Sequence, residues 1–168
     1  MIDVPGLPRF EISPHHCFAC GTLNSHGLHL DLHVERSRSW VELTYEERFQ
    51  GWDGIAHGGI LATILDEVMA WALVGEDHWG VTARLSIDFK RPVNVGQRIR
   101  ADGWVTRSRR RIVDTEARVV DAQSGEILAT AAGRYMAANE DRKRELRSTY
   151  GWRVLDDDGT HDRVDSKP

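Results

Sequence analysis

Residues 54–73, GIAHGGILATILDEVMAWAL, constrain the fold of this chain more than any other stretch. Ile60, Leu61, Ile64, Leu65, Val68, Trp71 and Ala72 recur at helical spacing, which predicts one long helix with a wide apolar face. No second segment of comparable strength is present to pair with it, so the helix must be enclosed by something else. The rest of the pattern reads as strands. Residues 28–34 and 39–45 alternate around the polar turn Glu35-Arg36-Ser37-Arg38 and predict a hairpin. Residues 81–89, 98–106, 112–121 and 126–136 predict four consecutive antiparallel strands separated by turn-forming residues. An α+β domain follows, with an antiparallel sheet wrapped around one long central helix.

A chain of 168 residues with 40% hydrophobic content suits a single domain with a genuine core. That domain is expected over residues 15–138, preceded by an irregular Pro- and Gly-containing arm at 1–14. Residues 139–168 are dense in both charge signs and predict a tail that is partly helical and then disordered. The net charge of -4, from 22 basic and 26 acidic residues, gives no overall attraction to nucleic acid or to an anionic membrane. Met1-Ile-Asp-Val-Pro does not read as a leader, and no apolar run reaches the roughly 18–20 residues that span a bilayer. A cytoplasmic location is the expectation. With only Cys17 and Cys20 present, reduced thiols are expected rather than a disulfide framework.

Two acids interrupt the helix. Gly59, Thr63, Asp66 and Ala70 share a face of small or polar groups, while Glu67 points about 100° away from Asp66 around the axis. His57-Gly58-Gly59 sits where the helix begins, and glycines there let a ligand approach unpaired N–H groups at the positive end of the helix dipole. Such an end suits a developing oxyanion.

HGG followed by an acid nine residues after the His resembles the hotdog-fold acyl-CoA thioesterases, and within them the phenylacetyl-CoA thioesterase (PaaI-like) branch. The likeness runs from about Cys17 to Met136 and rests on CFACGTLNSHGLHL, GIAHGGILATILDE and TARLSIDFKRPVNVG. The resemblance implies a hotdog fold and hydrolysis of an acyl-CoA thioester to a carboxylic acid and coenzyme A, without a further cofactor. It implies that Asp66 is the catalytic carboxylate, as general base or nucleophile. Gly59 would offer its N–H to the carbonyl oxygen, His57 would shape the loop, and Thr82 would orient the water or the carboxylate. Strict strand alternation groups Thr82 with Arg84, Ser86, Asp88 and Lys90, opposite Ala83, Leu85, Ile87 and Phe89, so a solvent-facing Thr82 is the competing reading.

Gly58 and Glu67 are further candidates for substrate contact. The phosphates of coenzyme A would be met by Lys90, Arg91, Arg109 and Arg110, the last two in a turn that also holds Arg107 and Arg111. Exposed hairpin arginines are also ordinary surface. His15-His16-Cys17-Phe-Ala-Cys20 offers metal-ligand types but lacks the second half of a zinc motif, so no metal is expected and the thiols are read as a buried pair anchoring the arm. Gly59 and Asp66 lie about 10 Å apart along one helix, too far to meet one carbonyl. Two antiparallel helices around a two-fold axis remove that obstacle, so a homodimer, alone or as half of a homotetramer, is expected. A non-catalytic acyl-CoA sensor on the same fold is the alternative function, and a hotdog hydratase a third.

Overall fold

The structure, a computed structural model, describes residues 9–150 and 153–155, with side chains over 12–150. The apolar stretch of the sequence forms helix α1, Gly58–Val74. It starts within the HGG turn, as the sequence suggests, and leaves residues 54–57 of the apolar stretch outside it. Gly54 takes a positive φ of 79°, and Ile55 and Ala56 are bridged to Asn94 and Gln50, so extended pairing claims these residues before the helix can. His57 is the extended N-cap residue. Leu61, Ile64, Leu65, Val68, Met69, Ala72 and Leu73 make up the buried face, none more than 4% exposed. Trp71, placed on that face by spacing, is only half-buried.

The helix lies against a six-stranded antiparallel sheet, as the α+β hotdog expectation requires. Strand β1 (Arg9–Glu11) stands outside this sheet, which begins with β2 (His33–Glu35) and β3 (Arg38–Thr44). After α1 come β4 (Gly80–Phe89), β5 (Arg98–Arg109), β6 (Ile112–Asp121) and β7 (Ile127–Ala137). Their spatial order is β2-β3-β5-β6-β7-β4, so the expected run of four consecutive neighbours holds for β5, β6 and β7 but not for β4. The reason lies in the link through Pro92. Lys90 and Arg91 donate to the Leu128 carbonyl, Val93 accepts from Ala56, Val95 donates to Gly54, and Gly96 donates to Tyr45. These bonds lead the chain past the start of α1, from the β7 edge to the strand beside β3. The sheet thereby reaches around the helix, and β4 is left as an edge strand.

The first hairpin is shorter than its alternation implies. Leu28 and Leu30 are buried, but their N–H groups pair with the carbonyls of Phe18 and Ala19 rather than with β3. The segment that follows the arm, around Cys17–Cys20, therefore supplies backbone partners of its own. β1 pairs antiparallel with β8 (Arg153–Leu155), so the arm and the tail form a two-stranded ribbon instead of two irregular ends. Between them, the charged segment contains α2 (Glu140–Thr149), capped by the Asn139 side chain. The remaining arm and tail residues, 1–8, 151–152 and 156–168, lie outside the described residues.

Sheet and helix come into close contact at Gly103 and Ser39. A Cβ on Gly103 would stand 2.6 Å from the Val68 backbone, and the Ser39 hydroxyl donates to the Val68 carbonyl. That contact fixes the height of α1 over β3 and β5. No helix among the described residues is long and apolar enough to cross a membrane.

Candidate active site

Asp66 lies on α1 two turns into the helix and is half-buried, facing β4 and β7 rather than open solvent. Tyr135 of β7, only 1% exposed, donates its hydroxyl to Asp66 Oδ1 at 2.6 Å and also lies 3.0 Å from the Asp66 carbonyl oxygen. Thr82 Oγ1 of β4 donates to the same Oδ1 at 2.8 Å. Burial, and then the Asp66 charge, push the Tyr135 phenol far above its usual range, so it stays a hydrogen-bond donor. Two donors on Oδ1 fix the rotation of the carboxylate. Among the described residues no donor meets Oδ2.

Thr82 reaches Asp66 because strand alternation fails beside it. The β4–β7 register runs Thr82↔Tyr135, then Arg84↔Arg134 and Leu85↔Gly133, with a bulge at Ala83. The extra residue restores Thr82 to the face of Tyr135, Leu85 and Ile87. Arg84, Ser86 and Asp88 point the other way. The competing reading, with Thr82 grouped among those outward residues, is therefore corrected by a single inserted position. Tyr135 itself was missed in the sequence. Its hydroxyl could have been suspected only from the cross-strand pairing with Thr82, which no local pattern encodes.

At the start of α1, His57 Nδ1 accepts the Gly59 N–H at 2.9 Å. The Gly59 N–H, expected to stand unpaired, is thus capped by the preceding His side chain in the usual N-cap manner. An accepting Nδ1 requires the ring proton on Nε2. The His57 ring is exposed and Gly58 faces Phe89 of β4, whose ring would sit 3.5 Å from a Cβ at position 58. Gln50 is occupied in the same loop, accepting from the Gly54 N–H at 2.9 Å. Asp66 and Thr82 therefore mark one end of β4, and His57, Gly58 and Phe89 the other.

Glu67, an expected substrate contact, turns away from this group. Its Oε1 accepts from Trp71 Nε1 at 2.9 Å, and its carboxylate meets the Cys20 thiol. Burial pushes the Glu67 carboxyl up to about 7. The structure thus gives Glu67 no place beside Asp66, because successive helical residues diverge around the axis.

The basic candidates divide. Lys90 lies 3.5 Å from Asp88 and Arg91 3.2 Å from Glu126, both exposed pairs at the far end of β4 from Thr82. Arg109 and Arg110 are exposed in the β5–β6 turn, where Arg110 has a positive φ of 56°. The register Thr82↔Tyr135↔Val113↔Ser108 places that turn at the Asp66 end of the sheet, three strands across. Arg111 is committed to the fold through the Ala137 carbonyl at 2.9 Å.

Comparison with known proteins agrees with this architecture. The thioesterase superfamily model matches residues 53–128, from the loop before α1 to the start of β7. The protein named "Putative esterase SSO2140" of Saccharolobus solfataricus is 31% identical over 104 residues, which cover 61% of this chain and 73% of that protein. Two solved structures share the fold. The PaaI protein from the E. coli phenylacetic acid degradation operon superposes with a TM-score of 0.61 at 22% identity, over 65% of this chain and 83% of that one. The smu.793 protein of Streptococcus mutans, solved bound to acetyl CoA, superposes with a TM-score of 0.62 at 20% identity, over 66% of this chain and 89% of that one. Because the aligned relative is matched over most of its length and the family model falls on α1 and β4, which carry Asp66 and Thr82, the chain belongs to the thioesterase superfamily, in its hotdog-fold form.

Proposed function

We propose that the protein hydrolyses an acyl-CoA thioester to a free carboxylic acid and coenzyme A, with Asp66 as the catalytic carboxylate. The observation that carries this reading is the Asp66 side chain itself, held at Oδ1 by Tyr135 and Thr82 with Oδ2 left over. A carboxylate so placed can take a proton from water as the new C–O bond forms, or can attack the carbonyl directly. In either route the C–S bond breaks and the departing thiolate takes up a proton. The acetyl CoA bound to the Streptococcus relative supports a thioester of this class as substrate.

The oxyanion is assigned to the start of α1. The exposed His57 ring releases the Gly59 N–H when a thioester oxygen takes its place, and Gly58 adds a second N–H at the positive end of the helix. That end and Asp66 cannot serve one carbonyl from a single chain. β4 resolves the difficulty, because it is a ten-residue edge strand with Val81 71% and Phe89 54% exposed. An open apolar edge of this length calls for a partner strand. Antiparallel pairing of β4 with its copy about a two-fold axis would set Thr82 and Asp66 of one protomer beside Phe89, Gly58 and Gly59 of the other. The proposed enzyme is therefore a homodimer with two shared sites.

Free-thiol release from purified protein, measured across short, medium, long and aromatic acyl-CoAs, tests the activity. Turnover of at least one class is expected, and none across the panel would overturn the reading. Arg109 and Arg110 are proposed to meet the nucleotide phosphates, so Arg109→Ala should raise KM for the best acyl-CoA and leave KM for its acyl-pantetheine unchanged. Equal changes would return both to plain surface.

Tyr135 is a positioning residue in this scheme. Tyr135→Phe removes one charge-assisted hydrogen bond, of about 1.5–3 kcal/mol, while keeping the ring in the core. A fall in kcat of roughly tenfold with KM unchanged is expected. A variant that melts lower but keeps its kcat would leave Tyr135 a merely structural residue.

A further inference from the structure

Cys17, Cys20 and Glu67 come together although 47 residues separate Cys20 from Glu67. The two Sγ atoms and a Glu67 carboxylate oxygen all lie within 4.8 Å of one another. We propose that this cluster is a binding site for a thiolate-preferring divalent cation of the zinc type, which ties the N-terminal arm to α1.

Three features favour an ion over two bare thiols. The first is the shape of the turn. Cys-x-x-Cys-Gly folds so tightly that a Cβ on Gly21 would stand 2.4 Å from the Cys17 nitrogen and 2.4 Å from the His15 carbonyl oxygen. That turn brings both Sγ atoms to one point beside Glu67.

The second is the ligand set. Tetrahedral zinc with S at about 2.3 Å and O at about 2.0–2.2 Å places its ligand atoms roughly 3.4–3.8 Å apart. The cluster needs a contraction of about 1.0–1.4 Å at most to reach that spacing. Two soft thiolates and one carboxylate also select against magnesium and calcium, which prefer oxygen alone. The third is orientation. The Trp71 indole N–H holds Glu67 Oε1 at 2.9 Å, the kind of outer bond that fixes a carboxylate for a metal.

The helix thus supplies one of the two ligands that the zinc motif lacks. His15 directs Nδ1 to the Cys17 N–H at 3.3 Å, and neither it nor His16 belongs to the cluster, so a solvent oxygen would complete the coordination. Binding exchanges the remaining acidic protons of the cluster for the cation and releases them to solvent; no electron is transferred. The clamp holds the arm against the helical turn next to Asp66, and does so whether or not the thioesterase reading stands.

The test uses the full-length protein, purified with zinc and dialysed against metal-free buffer. About one zinc per chain should remain, and cobalt(II) in its place should give an intense near-ultraviolet sulfur-to-metal charge-transfer band. Competition with a chromophoric chelator should show Glu67→Gln binding zinc about 10- to 100-fold more weakly, and Cys17→Ser or Cys20→Ser at least as much more weakly. Chelation should also lower the melting temperature of the wild-type protein. Should the cysteine variants fail to fold, the cobalt spectrum and the chelator shift of the wild type still decide the matter. Absence of retained zinc together with absence of the charge-transfer band would overturn the site. Unchanged zinc affinity in a folded Glu67→Gln protein would overturn it equally.

Discussion

Asp66→Asn is expected to lower kcat at least about a hundredfold while KM changes little, a loss of about 2.7 kcal/mol of transition-state stabilisation. The substitution keeps the shape of the side chain. Its amide oxygen can still accept from Tyr135 and Thr82, so the helix, the bulge and the strand pairing have no reason to move. An amide, however, neither takes a proton from water nor attacks a thioester, and the group at the Oδ2 position becomes a donor. The effect falls on the chemical step because the carboxylate works chiefly in the transition state. Steady-state kinetics on the best acyl-CoA of the panel, with circular dichroism to confirm the fold, make the measurement. A variant within threefold of wild type would remove Asp66 from the mechanism.

Mixing two inactive proteins should restore activity. Asp66→Ala removes the carboxylate, and Gly59→Pro removes the N–H at a first-turn position where proline is tolerated. Proline also displaces the His57 ring from its cap, which the exposure of that ring permits. In a shared-site dimer, a mixed pair has one site lacking both groups and one site lacking neither. With free subunit exchange, half of the dimers are mixed and each holds one intact site of two, so activity should recover to about a quarter of wild type. Verified mixed dimers without recovery would mean that Asp66 acts with the helix start of its own chain. The 10 Å between those positions would then demand a large rearrangement of α1.

These predictions depend on features legible to different degrees in the sequence. The central helix was legible because seven apolar positions repeat at its period, and burial of that face follows from water alone. The acid at Asp66 and the HGG turn were legible as a spaced motif. The strands were legible as segments, with β6 at its predicted bounds, since turn chemistry between them is local. Order within the sheet was not. Whether β4 pairs with β5 or with β7 depends on where the Pro92 link is anchored, and its anchors at Tyr45, Gly54, Ala56 and Leu128 lie far away in the chain.

The surroundings of the two acids divide in the same way. The sequence by itself determined that one helix would be enclosed by antiparallel strands and that Asp66 and Glu67 would diverge around its axis, because periodicity and helical geometry are properties of neighbouring residues. Only the tertiary structure decided what each acid meets. A one-residue bulge at Ala83 turns Thr82 inward, cross-strand register puts Tyr135 beside it, and the folded-back arm sets Cys17 and Cys20 against Glu67. Each of these contacts joins segments whose meeting depends on the closure of the whole sheet around α1, and a local pattern carries no record of that closure.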